Sequence, residues 1–212
     1  LNRYFFIRFH PASFRDLFHR EYDRINPVPV NTDPRLNPGF LILRSDVDDL
    51  SGVTLLAKDR EVLFAQQSEC TFIFNRSGGW PSGVVMSFVY HEECLWIASV
   101  VNRPQVACLA EDPRVTVVVS NAGTQTPARQ MIAVRGVAVI HEPGSETFEN
   151  MLHTIGARLQ PADPMAFVRL LDTPKRRILQ VIPAGISSSH DSRRMPGDGR
   201  GGPAKIAAEK NE

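Results

Sequence analysis

The chain has 212 residues, with 24 Lys and Arg against 23 Asp and Glu. That balance leaves no charge asymmetry to attract nucleic acid, and no apolar run approaches membrane-spanning length. A hydrophobic content of 42% is enough for one core of ordinary size.

Residues 1–50 read as an N-terminal extension or arm. The opening Leu1 to His10 is aromatic but interrupted by Arg3, Arg8 and His10, which makes a poor signal peptide, so the expected location is the cytoplasm. Phe14, Leu17 and Phe18 suit a short amphipathic helix, followed by proline-punctuated coil. The aromatic residues of this arm call for a surface to cover, on the main body or on a second subunit.

The pattern sharpens from Ser51. Residues 54–67 have the spacing of an amphipathic helix, with Leu55, Leu56, Val62 and Leu63 as its apolar positions, and residues 69–76 read as a strand closed by a Ser-Gly-Gly-Trp-Pro turn. Gly83 to His91 and Cys94 to Val100 are apolar, β-branched or aromatic, and the polar pair Glu92-Glu93 between them predicts a hairpin. Asn102-Arg103-Pro104 has the form of a helix start, with Asn102 as cap, and the helix is expected to end before Asp112-Pro113. Arg114 to Asn121 begins another strand.

Two more strands complete the sheet: Gln130 to Glu142, with a bend or bulge at Gly136, and Arg176 to Ser189, ended or bent by Pro183. Between them lie helices over residues 145–160, capped by Ser145, and 164–172. The domain is expected to span residues 51–195, and residues 196–212, rich in glycine and charge, read as a disordered tail. The count predicts a mainly β protein with flanking helices, a split β-barrel of about six strands.

Chemistry-bearing motifs are few. There is no GxGxxG after a strand, no P-loop lysine, no HExxH and no GxSxG. Cys70, Cys94 and Cys108 lack a CxxC pair and read as buried free thiols. No metal site and no catalytic acid-base pair is legible. Ser99, Asn102 and Arg103 gather where a strand ends and a helix begins, a place suited to a phosphate. Taken alone, the same residues also read as a strand end, a cap and a solvated charge.

The order of these elements, with Gly79-Trp80-Pro81 turning into an apolar strand, Leu95 to Ser99, Asp112-Pro113-Arg114-Val115 and the closing Ser189 to Met195, resembles the flavin-binding split barrels of the pyridoxamine 5'-phosphate oxidase-like superfamily. The likeness runs from about Arg60 to Met195. It implies a homodimer that binds FMN, or the deazaflavin F420, between subunits and acts as an oxidoreductase on a small organic substrate. The isoalloxazine is then expected along Val84, Val85, Met86 and Ser87, and the phosphate at Ala98, Ser99, Val100, Asn102, Arg103 and Gln105. Where many members place Arg and Lys, this chain has Pro104 and Gln105, so Arg103 is the cation of the segment and Arg129, Arg193 and Arg194 are the candidates for a second. The alternative is a non-catalytic barrel that binds a cofactor or haem, with His91, His141 or His190 as a ligand.

Overall fold

The computed structural model describes residues 52–195; the expected N-terminal arm and the expected C-terminal tail lie outside the described residues. Helix α1 (Ala57–Gln66) precedes strands β1 (Glu69–Asn75), β2 (Pro81–Ser87), β3 (Val89–His91) and β4 (Cys94–Val100). A single turn of helix, α2 (Pro104–Ala107), continues as a 3-10 turn over Cys108–Ala110. Then come β5 (Arg114–Ser120), β6 (Gln130–His141), α3 (Glu146–Leu159), α4 (Pro164–Leu171) and β7 (Arg176–Asp191). All seven strands form one antiparallel sheet in the order β2-β1-β5-β6-β7-β4-β3.

The sheet has seven strands because the apolar run from Gly83 to His91 is not one strand. It breaks at Phe88, so that β2 lies at one edge of the sheet and β3 at the other. Phe88 is 1% exposed and its N–H donates to the Ser68 carbonyl at 2.9 Å. Phe64 of α1 packs across this joint, edge-on to Phe88 and stacked on Tyr90 with ring centroids 4.5 Å apart. Leu63 and Phe64 are the residues that α1 buries; Leu56 and Val62, read as core positions, face solvent.

Alternation along the strands decides what is inside. Phe72 and Phe74 of β1, Val115, Val117 and Val119 of β5, and Leu95 and Ile97 of β4 meet in the barrel core. Trp96 of β4 and Ile178 of β7 point the other way, into a second cluster under α3 and α4 with Phe148, Leu152, Ile155 and Val168. β4 is thus covered on both faces, which explains its unbroken apolar run. Ser145 caps α3 as expected, accepting from the Phe148 N–H, and Asp163 caps α4 in the same way. The β3–β4 hairpin turns at Glu92 and Glu93, both with positive φ, as a two-residue hairpin turn requires.

β7 does not end at Pro183. It runs for 16 residues, pairing with β4 through Val181 and with β6 along most of its length. Pro183 lies opposite Gly136 where the β6–β7 register shifts, so the missing N–H falls at an irregularity and not within a regular ladder. A Cβ on Gly136 would stand 2.6 Å from the Ile182 carbonyl oxygen and 2.8 Å from Val181 Cγ1. Gly136→Ala is therefore expected to lower stability by about 1–3 kcal/mol. Urea denaturation checks this, with a fall in midpoint at unchanged slope as the expected result.

Candidate functional site

Each residue expected to contact a cofactor has a defined place. On β2, Val84 and Met86 are half-buried against the barrel core, while Val85, 71% exposed, and Ser87 face outward. β2 is an edge strand, so one row of its backbone N–H and C=O groups has no strand partner among the described residues. An exposed face and an open hydrogen-bonding edge together fit a planar heterocycle that carries donors and acceptors.

The six residues expected at the phosphate divide. Ser99 is 5% exposed and lies on the barrel side of β4 with Leu95 and Ile97. Ala98 and Val100 alternate to the other face, where Ala98 packs under α3 and α4. Gln105 is buried and turned toward β2, its Nε2 3.9 Å from Met86 Sδ. Asn102 and Arg103 are exposed. Arg103, not Asn102, occupies the cap position of α2 and makes no side-chain cap bond. Its N–H closes a turn on the Val100 carbonyl at 3.0 Å, so the chain reverses before the helix starts. Since α2 is only one turn long, its dipole contributes little, and an anion held here would have to be held by side chains.

The second cation comes from β7. Ser99 is the register partner of Arg177 and Val100 that of Arg176, while the Val101 N–H donates to the Lys175 carbonyl at 2.9 Å. Antiparallel partners share a face, so Arg177 and Ser99 project from the same side of the sheet. Its Nη1 donates to the Pro174 and Arg176 carbonyls and its Nε lies 3.3 Å from Glu142 Oε1, which leaves Nη2 without a hydrogen bond among the described residues. Arg176 points to the opposite face, where its Nε donates to the Leu171 carbonyl at the end of α4. The sequence signal was present in the Lys175-Arg176-Arg177 run, but only the β4–β7 register places it at Ser99.

The link between Gln105 and Met86 joins this cluster to β2. The remaining aromatic and sulfur residues lie outside the cluster. Trp96 is core, its Nε1–H donating to the His91 carbonyl, and Trp80 is 79% exposed in the β1–β2 turn. All three cysteines are free, and burial pushes the Cys70 thiol up to about 12, which makes it inert at neutral pH. Among the described residues no group of three or more His, Cys, Asp or Glu could hold a metal, and no helix is long and apolar enough to cross a membrane.

No family model matches the sequence, and no curated protein does. Solved structures match in fold. The haem storage protein HutZ of Vibrio cholerae aligns with a TM-score of 0.55 at 16% identity, over 63% of this chain and 94% of that one. A conserved hypothetical protein of Mycobacterium tuberculosis aligns with a TM-score of 0.53 at 17% identity, over 66% and 86%. A FAD-binding protein of Mesorhizobium loti gives 0.50 at 15%, over 64% and 92%. At these identities the likeness shows the fold alone: a split β-barrel, the architecture expected from the order of the sequence elements.

The cations at the far end of β7 have other work. Arg193 donates to the Asp191 carboxylate from Nε at 2.9 Å and from Nη2 at 2.6 Å, and reaches Asp59 of α1 at 3.0 Å. Arg194 Nη1 donates to the Thr54 carbonyl, and Arg129 is exposed. Arg193 and Arg194 thus bind β7 to α1 and the segment before it, and do not serve the Ser99 cluster. Burial alone would raise the Asp191 carboxyl, but the Arg193 donors outweigh it and hold it below the usual carboxylate range. The folded-state pKa is depressed, so the stabilisation is complete above about pH 4 and is lost as pH falls through the folded value. Arg193→Ala leaves a buried carboxylate without its cation. The expected cost at pH 7 is about 2–4 kcal/mol, less than for a fully buried pair because Arg193 is partly exposed. Denaturation at a series of pH values checks this: the gap between parent and variant should close on acidification.

Proposed function

We propose that the chain is a flavin-dependent oxidoreductase that works as a homodimer, with FMN lying along β2 and its phosphate at the end of β4. The observation that carries this reading is the pairing of Ser99 with Arg177, close in sequence to Arg103, and the tie from Gln105 to Met86 that brings this anion cluster to the open edge of β2. The donor set fits the group: a hydroxyl and two guanidinium groups for a phosphate, and an exposed strand edge for the ring. A bound flavin supplies two-electron redox chemistry. The protein's share is to hold the phosphate with Ser99, Arg103 and Arg177, to orient the ring against the Val84 to Ser87 backbone, and to exclude water from the outward face. Neither a catalytic triad nor a metal is needed for this.

Two other readings each have one observation in their favour. The basic run from Lys175 to Arg177 suits F420, whose acidic tail seeks cations. His190 Nε2 is buried with no hydrogen-bond partner among the described residues, which suits a non-catalytic barrel that binds haem, the ligand named for HutZ. An absorption spectrum of the purified protein, alone and with FMN, F420 and haem added in turn, separates the three.

Arg103→Ala is expected to weaken FMN binding about tenfold or more, and Ser99→Ala less, because a charge-assisted contact to phosphate outweighs a neutral one. Riboflavin, which lacks the phosphate, should bind the parent and Arg103→Ala alike. Flavin fluorescence titrations supply the affinities, and equal FMN affinity for parent and Arg103→Ala would overturn the phosphate assignment.

The dimer follows from the outward face. Val85 and Ile182 are large apolar residues exposed on the outward side of the sheet, and such residues call for a cover. A second copy of the chain is the cover this reading requires. Val85→Glu should then convert a sedimenting dimer to a monomer at micromolar protein and weaken FMN with it; a parent protein that sediments as a monomer would remove the inter-subunit groove.

A further inference from the structure

A cleft of about 800 Å3 opens between the C-terminal end of α1, the start of β1 and the loop that joins β5 to β6. None of the anion-cluster residues lines it, yet it adjoins β2. Glu69, on its wall, is the register partner of Ser87, and both lie on the outward face with Val85.

The walls are fixed by bonds within the protein. Asn121, 7% exposed, organises the loop: its Nδ2 donates to the carbonyls of Thr126 and Ala128 at 3.0 and 2.9 Å, and its Oδ1 accepts from the Gln130 N–H. Gln67 ties the other wall to the end of β5. Its Nε2 donates to the Ser120 and Ala122 carbonyls at 2.7 and 2.9 Å, and its Oε1 accepts from the Ser68 and Glu69 N–H groups. Thr126 Oγ1 donates to Gln66 Oε1 at 2.7 Å and closes the two walls on each other. Gln66, Ser68 and Gln125, whose side chains are polar and uncharged, are among the residues that line the cleft. Glu69 is the one charged side chain among the residues that line it, and no lysine or arginine does.

We infer that this cleft is the substrate site of the flavin centre, resting on the function proposed above, and that it takes a small organic molecule without negative charge, held by amide and hydroxyl contacts. The volume is that of a small-molecule pocket. An anion in it meets Glu69 with no cation to offset the repulsion, whereas a neutral polar molecule satisfies the donors and acceptors of the wall. Charge thus sorts the two ligands: the phosphate of the cofactor goes to Arg103 and Arg177, and a phosphorylated or carboxylated substrate is refused.

Nicotinamide and nicotinate, alike in size and different by one charge, test this on the full chain labelled with 15N. Nicotinamide is expected to shift the side-chain amide signals of Gln66 and Gln125, with nicotinate weaker by about five-fold or more. Glu69→Lys should reverse that order, and Gln125→Leu should weaken nicotinamide by about five-fold through a lost hydrogen bond, with the rest of the spectrum preserved. Nicotinate binding as tightly as nicotinamide, shifts confined to other parts of the chain, or no shift with either probe overturns the assignment. FMN titrations on the same samples keep the two readings apart. FMN binding without a nicotinamide preference overturns the cleft alone, and a nicotinamide preference without FMN binding keeps the neutral-ligand cleft and overturns its link to a flavin.

Discussion

The structure depends on one strand that serves two neighbours. β7 pairs with β4 at its beginning and with β6 along most of its length, and it does so by shifting register at Gly136 and Pro183. The irregularity lets the sheet curl into a barrel core while its other face lies under α3 and α4. The anion cluster proposed for function also depends on this strand. The β4–β7 register puts Arg177 at Ser99, and the far end of the same strand is clamped to α1 by the Asp191, Arg193 and Asp59 network.

Features that act locally were legible in the sequence. The Ser145 cap and the hairpin at Glu92 and Glu93 each rest on residues within a few positions of one another, where side-chain chemistry and backbone geometry are directly coupled; at Gly136 the glycine itself marked the irregularity, although its partner lies across the sheet. The split at Phe88 was not legible, because a continuous apolar run has the same periodicity whether or not the chain changes sheet edge within it. Pro183 left an end and a bend both open for a related reason: a proline interrupts a strand only where its N–H is needed, and that depends on a neighbour far along the chain, which here makes it a bend. The solvent-facing Leu56 and Val62 belong here too. Their spacing suits a helix, but only packing reveals which stripe of the helix is covered.

The candidate site shows the same division. Ser99 and Arg103 stand out from the sequence because a strand end and a helix start meet there. Ala98, Val100 and Gln105 came with them by proximity along the chain, and strand alternation and burial then turned their side chains elsewhere. Arg177 was invisible as a partner of Ser99 because sheet register is set by the whole fold. A reading confined to one segment finds Ser99 and Arg103 and misses Arg177, the residue opposite Ser99 across the sheet.

Phe88 has a mechanical consequence. As the single residue between β2 and β3, it joins the two edges of the sheet covalently, and only two α-carbon steps of about 3.8 Å each separate Ser87 from Val89. The edges cannot slide apart; they can only swing about that point, as the arms of a hinge do. Displacement then grows with distance from the pivot, least at Ser87 and greatest at Pro81. Beside Ser87 the two edges are held by the chain itself, whereas at Pro81 the position of β2 rests on its pairing with β1.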